Sequence, residues 1–236
     1  ADGVGTVSFA ESVVSYFVLI ATLGITTFGQ RELSYVQDKR QGRSIVFWET
    51  KILEIITSIA VLVIYIPFAL MQQYKIMYLI LAFNLLAVIV YLVWLFQGLE
   101  EFKIIVLRNT IFKIIGIIYI FVAVKTKDDL VKYIFGIAFF NFISNLSLWV
   151  YVPKYVDKIN WNVIHPLKHF GTIMSLFIPT IAIQIYTVLD KTMIGLITQS
   201  SFENGYYEQA LKISKMVLTV VTSLGTVMIP RIGFHF

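Results

Sequence analysis

The residues that could do chemistry are few, and their types point to binding rather than reaction. Arg31, Arg108, Lys113, Lys191, Lys212 and Arg231 all lie inside or at the ends of long apolar stretches, and Asp190 stands beside Lys191. A charge at the centre of a membrane helix costs about 2.5–3.5 kcal/mol on an insertion scale, so such groups are expected at helix ends, in pairs or in water. Hydroxyls and amides accompany them. Thr22, Thr26 and Gln30 form one series, Gln184 and Thr187 a second, and Thr219, Thr222 and Thr226 a third. Spacings of three and four place each series on one face of a helix. Polar stripes edged with cations suit a polyanion such as a pyrophosphate, which accepts several charge-assisted hydrogen bonds. Reaction motifs are absent: the sequence contains no GxxxxGK[ST], HExxH, CxxC or nucleophile elbow. With no cysteine there is no thiolate metal site, and no cofactor is expected.

The elements that must carry these residues are transmembrane helices. The 236 residues are 58% hydrophobic and 14% charged, against about 25% charged in soluble domains. The mean hydropathy is +0.81. A net charge of +5 is modest and gives no nucleic-acid signal. About 20 apolar residues cross a bilayer, and on that basis the sequence predicts an all-α polytopic membrane protein with about seven spans: Ser8–Val36, Ser44–Met71, Ile76–Phe96, Phe102–Val124, Leu130–Val152, Leu167–Ile197 and Tyr206–Ile232. The span Ile76–Phe96 has no charge and only Asn84 as a strongly polar residue, so it is expected to face lipid. Glu49, Lys51 and Glu54 open the second span as an internal charge cluster or a cytoplasmic stem.

Cations fall mainly in alternate loops. Lys39, Arg40, Arg43, Lys103, Arg108, Lys154, Lys158 and Lys168 lie on one side; Lys75, Lys125 and Lys127 lie on the other. The richer side is expected to be cytoplasmic, which puts the start of the chain outside. Residues 1–152 would form most of one lobe, with five helices. Residues 153–166 would be a cytoplasmic linker, and residues 167–236 would open a second lobe. His165 and His169 have no acid or cysteine near them in sequence and read as part of an interface loop rather than a metal site. Thr22, Thr26 and Arg31 match Thr222, Thr226 and Arg231 in order and spacing, a weak echo of a duplicated bundle.

The stretch LGITTFGQRELSYV at Leu23–Val36 resembles the second helix of Wzx-type polysaccharide flippases, in the multidrug/oligosaccharidyl-lipid/polysaccharide exporter (MATE/MOP-like) superfamily. WLFQGLEEFKIIVLRN at Trp94–Asn109, VLDKTMIG at Val188–Gly195, GYYEQALKISKM at Gly205–Met216 and VMIPRI at Val227–Ile232 resemble the same family in the same order. The resemblance implies an incomplete two-lobe bundle covering about helices two to eight of a longer protein. It implies a non-enzymatic flippase for undecaprenyl-pyrophosphate-linked oligosaccharide in the bacterial cytoplasmic membrane, working by alternating access around a cationic cavity. Proton or sodium coupling is expected of such a transporter, as are membrane lipid and polysaccharide polymerase or assembly proteins as partners. On the same resemblance Arg31 and Asp190 carry over best as cavity residues. A drug antiporter of the same fold is the alternative, and would place acids rather than cations in the seam.

Overall fold

A computed structural model describes residues 2–126, 129–198 and 200–235. Ten α-helices follow one another among them: α1 (Asp2–Thr22), α2 (Ile25–Tyr35), α3 (Arg40–Met71), α4 (Lys75–Ile89), α5 (Val93–Gly98), α6 (Phe102–Ala123), α7 (Leu130–Ser147), α8 (Val152–Tyr155), α9 (Phe170–Thr198) and α10 (Ser201–His235). Six segments are long and apolar enough to cross a membrane: Gly3–Tyr35, Arg40–Met71, Lys75–Gly98, Phe102–Ala123, Leu130–Tyr155 and Pro166–Tyr186. The chain is therefore an all-α, multi-pass membrane protein. The seventh expected span, Tyr206–Ile232, lies wholly within α10 but is not among these six.

Two of the spans are broken. The first turns at Leu23 and Gly24, which have φ of 45° and 71°. A left-handed backbone costs an L side chain about 1–2 kcal/mol and costs glycine almost nothing, so the sequence LG is where the helix can restart. The third span breaks between Ile89 and Val93, where no proline or glycine stands. Breaking a helix inside a membrane frees carbonyls that need new donors. Here Trp149 Nε1 donates to the Val90 carbonyl at 3.0 Å, and Lys51 Nζ donates to the Tyr91 carbonyl at 2.8 Å.

The core has two halves. Ala10, Val14, Tyr65, Leu81 and Leu85 join α1, α3 and α4 at one end, with Ile134 of α7. Phe47, Trp94, Phe96, Leu148 and Tyr155 join α3, α5, α7's end and α8 at the other. Ile25, Phe28, Leu53 and Ile173 form a smaller cluster that ties α2 and α3 to α9.

The expectation for the third span is corrected. That segment is the most buried of the six, and Leu85, Trp94, Leu95 and Phe96 are fully covered. An evenly apolar helix suits a protein interior as well as lipid, so its composition does not separate the two environments. The lipid-suited surface belongs to α6, whose Val106, Leu107, Ile114, Ile118 and Phe121 are all exposed.

Residues 156–165, between α8 and the short turn Pro166–His169, are not a free tether. Arg40 pairs with Asp157 at 2.7 Å and also donates to the Lys154 and Pro153 carbonyls. Trp48 Nε1 donates to the Asp157 carbonyl at 2.9 Å. Glu49 accepts from the His165 backbone N–H at 2.8 Å and meets His169 Nε2 at 2.7 Å. The acid that sequence proximity did not supply to the histidines thus comes from α3. Among the described residues no group of three metal-ligating side chains converges.

Candidate functional site

The site is a groove between α1, α2, α4 and α7 that continues along α6. Its first part encloses about 420 Å³ and is lined by Glu11, Ser15, Thr22, Thr26, Asn84 and Tyr91, with Asn141 and Asn145. The second part encloses about 400 Å³ and adds Arg108, Asn109, Lys113 and Ser144. Tyr91, Asn141 and Asn145 border both parts. Tyr91 reaches them because the third span breaks there. Asn141 and Asn145 are one turn apart on α7 and share a face.

Hydrogen bonds run along the wall. Asn141 Nδ2 donates to Asn84 Oδ1 at 3.2 Å, and Asn145 Nδ2 donates to Asn141 Oδ1 at 3.2 Å. Arg108 Nη1 donates to Ser144 Oγ at 2.8 Å and to Asn145 Oδ1 at 3.3 Å. Arg108 is 9% exposed, its Nε has no partner, and its donated bonds go to neutral oxygens. A buried guanidinium ordinarily sits against a carboxylate; among the described residues none pairs with it. Arg108 therefore faces the groove with its charge uncompensated. Lys113, one turn and a half further along α6, is exposed on the same wall. The arrangement offers amides and hydroxyls for hydroxyl-rich groups and two cations for phosphate oxygens. It holds no nucleophile–base pair.

The other expected residues lie in two places. Arg31 pairs with its neighbour Glu32 at 2.9 Å, and Gln30 Nε2 donates to the Thr226 carbonyl at 3.2 Å, which fastens α2 to α10. Lys191 is in ion-pair contact with Glu208, which also accepts from Ser8 Oγ at 3.0 Å and lies 3.8 Å from Lys212. Asp190 accepts from the Tyr207 hydroxyl at 2.7 Å, so Asp190 and Lys191 do not neutralise each other. Lys191 and Lys212 thus meet an acid on α10, whereas Arg108 meets none among the described residues. Gln184 is half-buried on α9. Thr219 and Thr222 are exposed, and they and Thr226 bond to carbonyls of their own helix, the usual way a hydroxyl is tolerated on an apolar helix. The side chains of Thr187 and Arg231 lie outside the described residues.

Sequence reasoning missed Asn141, Asn145, Ser144 and Tyr91 as groove residues. The signal available was a pair of asparagines four apart in an otherwise apolar helix, matched by the single asparagine of the third span.

Comparison with known proteins gives the family. Over 142 residues, 59% of this chain and 36% of the relative, the sequence is 26% identical to a Shigella dysenteriae protein named "Putative O-antigen transporter". Over 238 aligned positions, 98% of this chain and 57% of the relative, it is 20% identical to a protein of the same name from Escherichia coli strain K12. The chain thus spans between about a third and just over half the length of these relatives. No solved structure matches. The family model described as "Polysaccharide biosynthesis protein" matches residues 1–234, so the chain belongs to that family.

Proposed function

We propose that this chain is part of a flippase that carries lipid-linked oligosaccharide, on an undecaprenyl-pyrophosphate carrier, across the bacterial cytoplasmic membrane by alternating access. The family membership and the naming of the relatives as O-antigen transporters support a non-enzymatic role in polysaccharide export. The observation that carries the reading to this substrate is Arg108: a buried cation paired with no acid among the described residues, on an amide-lined groove within a membrane span. The pyrophosphate would take Arg108 and Lys113, and the sugar hydroxyls would take the asparagines and threonines. Arg31, Lys191, Lys212 and Arg231 would line the path between the lobes, with coupling to protons or sodium. A polysaccharide polymerase and assembly proteins would receive the cargo outside.

The test is export in the whole protein. Arg108→Ala is expected to lower surface-polymer export at least tenfold, with protein level and membrane insertion retained, since a charge-assisted hydrogen bond contributes about 1.5–3 kcal/mol. Arg108→Lys should restore only part of it, because an ammonium cannot reproduce the planar fork. Undiminished export from Arg108→Ala would end the anion-binding reading. The drug-antiporter alternative is favoured only if the same variant alters resistance to cationic drugs and leaves export intact.

A further inference from the structure

Each part of the groove carries charge of one sign only. Among the described residues, Arg108 and Lys113 are the charged side chains that line the second part, and Glu11 is the one that lines the first. Tyr91, Asn141 and Asn145, which border both parts, are neutral. The contacts proposed for the ligand use the cations and leave the acid without a role.

As a structural group Glu11 is poorly placed. No side-chain hydrogen bond among the described residues engages its carboxylate, and Glu208 of α10 repels it through space while Lys191 and Lys212 attract it. Those three charges are occupied with one another: Lys191 is in ion-pair contact with Glu208, and Lys212 lies 3.8 Å from the same acid. Lys212 is also half exposed, so water screens it. None of the three lines either part of the groove. The tie between α1 and α10 is made one turn earlier, where Ser8 Oγ donates to Glu208 at 3.0 Å, and it needs no second acid. An amide of the same shape would meet Glu208 without repulsion.

We propose that Glu11 is a specificity residue: it makes the first part of the groove accept uncharged or amino-bearing sugars and reject a sugar that carries a carboxylate. This rests on the proposed function, since the pyrophosphate is held at Arg108 and Lys113. From there the glycan runs past Tyr91 and the two asparagines into the first part, where Ser15, Thr22, Thr26 and Asn84 meet its hydroxyls. Glu11 accepts a hydrogen bond from a hydroxyl or, more strongly, from an ammonium. A uronic acid there would set two carboxylates against each other in a site partly withdrawn from water, and like-charge contact of this kind is a general way to exclude a competing ligand. The same asymmetry fixes the direction of the ligand, because a pyrophosphate in the first part would face the acid.

The test is affinity for two probes, measured on the whole protein in lipid nanodiscs at pH 8, where carboxylates are ionised. One probe is a short-chain polyprenyl pyrophosphate carrying a neutral disaccharide; the other is the same lipid with glucuronic acid as its second sugar. The readout is the ratio of the two affinities on one protein, so a variant that folds less completely leaves the ratio intact. Wild type should bind the neutral lipid about tenfold more tightly or better. Glu11→Gln should bring the two within about twofold of each other. Glu11→Gln/Ser15→Asp, which returns the acid one turn along the same wall, should restore most of the preference. Arg108→Ala should weaken both lipids by similar factors. A wild-type ratio near one, a ratio that survives Glu11→Gln, or no recovery in the double variant overturns the role of Glu11 and leaves the anion reading of Arg108 standing. If neither lipid binds to wild type, the proposed function fails and the role of Glu11 falls with it.

Discussion

At the scale of single residues, energetic weight falls on charges whose surroundings are incomplete. Lys51 and Glu54 form a fully buried ion pair, so removing one leaves the other buried alone. Lys51→Met is expected to destabilise the fold by about 3–5 kcal/mol, whereas Lys51→Met/Glu54→Leu should recover most of that loss. Thermal unfolding in detergent measures both; equal losses would show that the pair is not a unit. Asp129 is the opposite case, half-buried just ahead of α7 with its charge fully partnered. Lys132, 2.6 Å away, and the backbone N–H groups of Lys125 and Thr126 hold its carboxyl well below the usual carboxylate range. The folded value is depressed, so the contribution is present above the unfolded value of about 3.9 and fades as pH falls through the folded one. Amide exchange at Thr126, taken relative to the intrinsic rate at each pH, is therefore expected to be equally slow at neutral and mildly acidic pH and to quicken only in strong acid. Asp129→Asn should quicken it at neutral pH.

At the scale of elements, two contacts decide how helices meet. Gly29 of α2 lies against Trp94 of α5, and a Cβ there would stand 2.5 Å from the indole Cε3. Trp94 is fully buried and has nowhere to retreat. Gly29→Ala should cost about 1–3 kcal/mol through overpacking, read as a lower midpoint of thermal unfolding. A neutral result would mean that α2 and α5 pack less closely than this. The second contact is the clasp of Glu49 on His165 and His169. It fixes the turn that leads into α9 to the stem of α3. Glu49→Gln weakens a charge-assisted pair, so residues 160–170 should exchange their amide hydrogens about tenfold faster or more. If exchange there is unchanged, the Arg40–Asp157 contacts alone hold the segment.

At the scale of the whole molecule, the break in the third span joins the groove to α3. Lys51 and Trp149 cap that break, and Tyr91 turns it into part of the groove wall. Arg108→Ala tests the groove through export by the whole protein, because the chain spans only about a third to just over half the length of its relatives. The same experiment separates a role for the groove from a role for the paired cations on α9 and α10. Lys191→Ala should lower export less than Arg108→Ala if Glu208 already neutralises Lys191.

Composition alone determined that the chain is helical and crosses a membrane repeatedly, because lipid leaves the backbone no other way to satisfy its hydrogen bonds. The matched stretches in order were enough to indicate the family. Periodicity placed Thr22 and Thr26 on one face, and both border the groove. Which apolar helix is buried was decided only by tertiary packing, since α4 and α6 are both apolar and hydropathy carries no direction. The partners of Arg108, Lys51 and Glu49 were likewise invisible. Arg108 meets residues 36 and 37 positions away, Lys51 reaches a carbonyl 40 away, and Glu49 meets a histidine 120 away. A sequence states which charges must be satisfied; only the fold brings the groups that satisfy them, or withholds them.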